Sequence, residues 1–220
     1  MSNKFHGMHW MLATPFDSQE NVDYRSIEKL MEQAKSAGCK GVVGLGVMGE
    51  AARLTDKERT TVTSTILSHA GELPVTIGTT ANGTMSAIAR SREAESLGAA
   101  AVMVAAPNLP KPNLTALMNY YQRIAESISI PIVMQDYPQT SGVDMPLNFI
   151  MEAAHNIPGI QYLKLEDPPT PTKITAIKAE IGDRLGIFGG LGGVFLLDEL
   201  KRGSIGAMTG FAYPEILVKV

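Results

Sequence analysis

The segment "GIQYLKLEDPP", residues 159–169, places Lys164 two residues before Glu166. If the segment is a strand, alternation puts Ile160, Tyr162, Lys164 and Glu166 on one face, and Gln161, Leu163 and Leu165 on the other. The second face suits packing against helices. A lysine on the enclosed face is costly unless it is neutral, paired or functional. Desolvation lowers its pKa and frees the nitrogen lone pair, which is what an imine-forming nucleophile needs. Glu166 fits either a structural salt bridge or a proton carrier in the chemistry. Position alone leaves both roles open.

Other candidates fall at the ends of similar apolar runs. In "PIVMQDYP", Gln135 and Tyr137 share a face and Asp136 points the other way. Tyr137 fits a proton relay or an amphipathic plug with a satisfied hydroxyl. Thr14 in "TPF" and Thr209 in "MTG" stand after two further runs. "GGLGG", which contains Gly190, follows another and fits backbone contacts to a hydroxylated or carboxylated ligand. The four histidines are scattered, with no metal-ligand spacing. The lone Cys39 reads as a small buried residue and the twelve methionines as core filler.

"GVVGLGVMGE", residues 41–50, contains G-x-G-x-x-G at Gly44, Gly46 and Gly49. A dinucleotide site also needs a helix opening at the third glycine and a carboxylate ending the next strand. Here "EAARLT" intervenes before a capping signal at Thr55 and Glu58, and "PVTIGTT" ends without an acid. The dinucleotide reading fails both demands. What remains is a tight loop at a strand end, whose N–H groups can face a carboxylate or simply make a turn.

These candidates need elements to position them. Eight short apolar runs recur along the chain: "MHWMLATPF", "GVVGLG", "PVTIGT", "AAVMVAAP", "PIVMQDY", "IQYLKLE", "LGIFGG" and "IGAMTG". Each is bounded by Gly, Pro or polar residues, as buried parallel strands are. Seven amphipathic segments alternate with them, the first with Ile27, Leu30, Met31 and Ala34 on one face and a stop at Gly38. This predicts one α/β domain over residues 1–220, a TIM (β/α)8 barrel, with an open doubly wound sheet as the alternative. In a barrel, function sits where strands end. The sequence ends at Val220 inside or before an eighth helix, "YPEILVKV": either that helix is short or further chain follows, and the 220 residues are expected to hold the barrel without a C-terminal helical extension.

Bulk composition is that of an ordinary globular chain: 45% hydrophobic and 19% charged residues, with net charge −3. With no basic stripe, secretory h-region or membrane-length apolar run, the expected setting is the cytoplasm, without nucleic acid or membrane as partner.

With "ATPF" after the first run, "GVMGE" after the second and the lysine on the sixth, the chain resembles the dihydrodipicolinate synthase / N-acetylneuraminate lyase family over essentially all 220 residues. The resemblance implies a Schiff base between Lys164 and the keto carbon of pyruvate or another 2-keto acid. It implies a carboxylate cradle around Val47, Met48 and Gly49, no cofactor or metal, and a homo-oligomer, tetramer or dimer.

The chain also departs from dihydrodipicolinate synthases. Their cradle carries two threonines where this chain has Val47 and Met48. Their strand-five tyrosine stands at Gln135, with Tyr137 one strand step higher. The arginine expected after the proline is missing from "QTSGV", and the paired tyrosines of the loop after strand four are Asn108 and Leu109. These changes argue against lysine biosynthesis. "MGEAARLT", "QDYP", "LKLEDPP" and "GAMTGFAYPEIL" are more similar to the L-2-keto-3-deoxyarabonate dehydratase-like branch, where a glutamate in the position of Glu166 handles protons. The resemblance thus implies a Schiff-base lyase of a 2-keto-3-deoxy sugar acid, a dehydratase. Lys164, Glu166 and Tyr137 would be catalytic, and Thr14, Gln135, Gly190 and Thr209 would bind substrate with the cradle. The alternatives are a pyruvate-dependent aldolase and a non-catalytic keto-acid-binding barrel.

Overall fold

The computed structural model describes residues 5–108, 111 and 113–220. Leu109 lies outside them. Eight parallel strands close in sequence order into a barrel: β1 (Gly7–Met11), β2 (Gly41–Gly44), β3 (Val75–Gly78), β4 (Ala101–Ala105), β5 (Ile132–Asp136), β6 (Ile160–Leu165), β7 (Gly186–Gly189) and β8 (Gly206–Thr209). The ring is completed by β8 pairing with β1, His9 against Met208. Closure leaves no exposed sheet edge.

All eight apolar runs are strands and all seven amphipathic segments are helical. The helices are α1 (Tyr24–Ser36), α2 (Asp56–Ser68), α3 (Thr84–Ser96), α4 (Leu114–Ala125), α5 (Pro138–Ser141), α6 (Leu147–Asn156), α7 (Thr170–Ile181), α8 (Leu196–Lys201) and α9 (Pro214–Val218). The capping box of α2 is formed: the Thr55 side chain accepts from the Glu58 amide and Glu58 accepts from the Thr55 amide. The short α5 was not expected. Pro138 opens it with its fixed φ, and Gly142 ends it at φ 69°. No described helix is long and apolar enough to cross a membrane.

Two apolar layers result. The outer core packs Ile27, Met31, Val62, Ile66, Ile150, Leu163, Leu165 and Ile174 between barrel and helices. The barrel interior holds Phe5, Met11, Val43, Met103, Val133, Tyr162, Phe188 and Met208. His9 is fully buried beside them, its ring stacked on Phe5 and edge-on to Phe188. Burial pulls its pKa down to about 3, so the ring is neutral.

One expectation about β6 is corrected. Ile132 pairs with Ile160, but the next residue, Val133, pairs with Tyr162, so Gln161 is an extra residue on β6. A bulge of this kind flips the alternation locally. Ile160 therefore joins the outer core and Gln161 is exposed, instead of packing against helices. Beyond the bulge the expected phase holds: Tyr162 belongs to the interior cluster, and Leu163 and Leu165 face the helices.

Leu163 is fully buried behind the lysine. Leu163→Ala is expected to lower the unfolding free energy by about 2–5 kcal/mol, measured from urea transitions with an unchanged slope.

Candidate active site

Lys164 sits near the C-terminal end of β6, in register with Gln135 on β5 and Phe188 on β7. The Glu166 amide continues the ladder by donating to the Asp136 carbonyl at 2.8 Å, which sets Glu166 one strand step above the lysine. Lys164 Nζ lies 3.0 Å from Glu166 Oε2. Gln135 Nε2 donates to the same oxygen at 2.7 Å. All three side chains are buried, at 3% exposure for Lys164, 6% for Glu166 and 3% for Gln135. The dry interior pushes the lysine pKa below its ordinary value, and the Glu166 carboxylate opposes that shift. Burial thus favours the neutral amine, the form a nucleophile requires.

Gly190, after β7, explains how Glu166 fits. A Cβ on Gly190 would lie 2.4 Å from Glu166 Cγ. The missing side chain is the space the glutamate occupies, so the structure places Gly190 as a wall behind Glu166.

The loop after β2 is a chain of turns over residues 45–53. Leu45 and Glu50 both adopt left-handed backbone, at φ 56° and 51°. Among the described residues, the amides of Val47, Met48 and Gly49 donate to no backbone or side-chain acceptor. Uncommitted N–H groups in successive residues of a turn are the donors from which anion sites are built. Val47 and Met48 themselves are about half exposed, so the turn offers backbone rather than side-chain donors. Thr14 ties this turn to the loop after β1, its hydroxyl donating to the Gly49 carbonyl at 2.6 Å.

Two further predicted residues make no hydrogen bond to the cluster among the described residues. Tyr137 is half-buried at the start of α5, and its hydroxyl makes no hydrogen bond among the described residues. Thr209 is buried, but Met208 fills the interior face of β8 and Ala207 the outer one. Thr209 therefore shares the outward face, in register with Trp10 of the outer core, rather than the face that carries Lys164.

Sequence reasoning missed two residues. Met11 Sδ accepts a hydrogen bond from Lys164 Nζ at 2.9 Å. Its inward position on β1 was readable from alternation, but a methionine among twelve gives no chemical signal. Arg59 is 4% exposed on α2, and its guanidinium donates to the carbonyls of Ala51 and Gly78, each at 2.9 Å. It clamps the turn after β2 to the end of β3. The signal was there: Arg59, Val62, Thr63 and Ile66 form the buried stripe of α2, and an arginine in such a stripe needs buried acceptors.

Asp136 turns outward from β5, as expected, and is fully buried with neither carboxylate oxygen hydrogen-bonded among the described residues. Burial raises its pKa to about 7, with Lys173 opposing and Asp167, Asp144 and Glu166 adding to the shift. Tyr121 of α4 also lies close enough to feel its charge. Lys173 is itself paired with Asp167.

Comparison with known proteins adds to this geometry. A model of the dihydrodipicolinate synthetase family matches residues 4–213. The chain is 32% identical to L-2-keto-3-deoxyarabonate dehydratase of Azospirillum brasilense over 95% of its own length and 69% of that protein's. It is 33% identical to 4-hydroxy-tetrahydrodipicolinate synthase of Methanosarcina barkeri, over 71% of this chain and 54% of that one. The chain thus spans only about half of that synthase. The crystal structure of dihydrodipicolinate synthase from Rhodopseudomonas palustris superposes with a TM-score of 0.92 at 32% identity, covering all of this chain and 74% of the other.

Two outcomes follow from this geometry. Arg59→Lys supplies a single point donor for two carbonyls, so stability falls by about 1–3 kcal/mol and amide exchange over residues 45–53 accelerates. Asp136 holds its proton more tightly folded, at about 7 against 3.8. The stability this adds is complete below about pH 4 and is lost as pH rises through the folded value. Asp136→Asn is therefore more stable than the parent at pH 8, by at least about 1 kcal/mol, and the gap closes towards pH 4 in paired thermal melts.

Proposed function

The chain belongs to the dihydrodipicolinate synthetase family, and from that premise we propose that it is a Schiff-base-forming lyase acting on a 2-keto-3-deoxy sugar acid, as a dehydratase. The observation that carries the reading is the buried Lys164 amine, 3.0 Å from Glu166 and held in an apolar barrel that disfavours its charge. The likeness to a named 2-keto-3-deoxy sugar acid dehydratase supports the choice of reaction. So does Gln135 at the position where the dihydrodipicolinate synthases carry a tyrosine.

The neutral Lys164 amine adds to the C2 carbonyl, and the carbinolamine loses water to leave a protonated imine. That iminium draws electrons from C3. Glu166, or a water it holds, removes a C3 proton, and the electron pair moves into an enamine. The enamine pushes out the C4 hydroxyl, which leaves as water after taking a proton from an acid. Hydrolysis of the imine then releases the dehydrated keto acid and regenerates the amine. The substrate carboxylate docks on the free amides of residues 47–49, with Thr14 holding the turn through Gly49. Gln135 keeps the Glu166 carboxylate aimed at the amine. Tyr137 remains a candidate to orient substrate hydroxyls from the rim.

Borohydride reduction in the presence of pyruvate and several 2-keto-3-deoxy acids tests the reading. An adduct mass on Lys164, absent in Lys164→Ala, is expected, with a dehydrated keto acid as product. Pyruvate plus an aldehyde would identify the aldolase alternative, and the absence of any adduct would overturn the Schiff-base mechanism. Glu166→Gln should still trap while turning over at least about a hundredfold more slowly.

A further inference from the structure

Lys164 Nζ contacts two acceptors: Glu166 Oε2 at 3.0 Å and Met11 Sδ at 2.9 Å. Met11 reaches it from β1, across the barrel interior from β6, and is itself 3% exposed. Its methyl end lies against Gly46. A Cβ added to Gly46 would stand 2.2 Å from Met11 Cε and 3.3 Å from Met103 Cε. The glycine thus leaves the volume in which the thioether can lie. These are two independent observations, one of a polar contact and one of a reserved space, and both fix the same sulfur.

The chemistry of an amine gives the arrangement its meaning. A neutral lysine has two N–H bonds and one lone pair, disposed roughly tetrahedrally about nitrogen with the Cε bond. When Glu166 and Met11 accept the two N–H bonds, only one direction remains for the lone pair. In the ammonium form the same two acceptors hold two protons, and the third proton is the uncommitted one. Its departure leaves the lone pair in that same direction. A thioether suits this place because it accepts weakly and takes no proton, so it orients the amine without competing for it.

We propose that Met11 is a positioning residue for imine formation: its sulfur and Glu166 together fix the rotation of the Lys164 amine, so that the lone pair faces the incoming keto carbon. The proposal rests on the Schiff-base reading above. The bond made is N–C2 and the electrons come from the amine lone pair. The oxygen of the keto group leaves later as water, and Met11 undergoes no chemical change. Gly46 serves the same end by leaving room for the methionine. Its role in the G-x-G-x-x-G pattern is thereby accounted for without any nucleotide.

Met11→Leu keeps most of the volume and removes the acceptor. With pyruvate and borohydride, its trapping rate at saturating pyruvate is expected to fall about three- to tenfold, the worth of one hydrogen bond. The half-saturating pyruvate concentration should stay within about twofold, because the cradle is untouched. The deficit should be largest at alkaline pH, where all the amine is neutral and only its orientation limits the rate. It should narrow at lower pH, because a lysine without the sulfur acceptor gives up its proton more readily, with Glu166 the charged group facing it. A merely structural lesion would slow trapping equally at every pH. Gly46→Ala is the second variant: it keeps the sulfur, displaces it, and is expected to show the same pattern should Met11→Leu fold poorly. A folded variant that traps at the parent rate with the parent pH profile, or that is slowed equally at every pH, overturns the role of Met11. A parent protein that forms no adduct dependent on Lys164 overturns the Schiff-base reading itself, so the two failures are distinguishable.

Discussion

A lysine placed inside a closed barrel governs much of the molecule. Stripping an ammonium of water costs more than any one neighbour returns, so Lys164 is stable only where a carboxylate faces it and its charge can be given up. Glu166 fills the first requirement and the dry interior around Phe188, Met103 and Val133 the second. The small residues near the site follow from the same need. Gly190 makes space for the glutamate and Gly46 for the methionine that meets the amine. The barrel thus holds its buried lysine under tension between desolvation and one ion pair.

The turn after β2 is built on a different physical basis. Its uncommitted groups are backbone amides, so its chemistry depends on the main chain rather than on the side chains of Val47 and Met48. What must stay fixed is the path of the main chain, and three groups hold it. Left-handed Leu45 turns the chain back, Thr14 tethers Gly49, and Arg59 bolts Ala51 to the end of β3. Positive charge on Arg59 is satisfied by carbonyls, so it does not compete with Lys164 for an anion.

Architecture was readable because the apolar runs are uniformly short and each is bounded by Gly, Pro or polar residues. Strands of four to six residues alternate with amphipathic helices, and eight such units favoured closure over an open sheet. The Lys164 and Glu166 face was readable for the same reason. The misreadings are local breaks in that regularity. Gln161 looked like a residue packed on helices because an extra residue in a strand leaves no compositional trace. The face of Thr209 was not legible either, because a position after an apolar run gives the rim and not the face, and Met208 takes the interior side of a strand only four residues long. Met11 was hidden by chemistry: a thioether becomes a polar partner only when a fold brings an amine to it, and no spacing within one segment can announce a contact across 153 positions.

The bulge at Gln161 sits at the very start of β6, after Ile160 alone, so Tyr162 to Leu165 keep one unbroken alternation. The barrel absorbs a one-residue mismatch at the foot of the strand, where a polar side chain can leave toward solvent, and the stretch that carries the amine stays in phase with both neighbouring strands. An extra residue there changes which side chain meets water; the same extra residue between Tyr162 and Lys164 would turn the lysine into the helices.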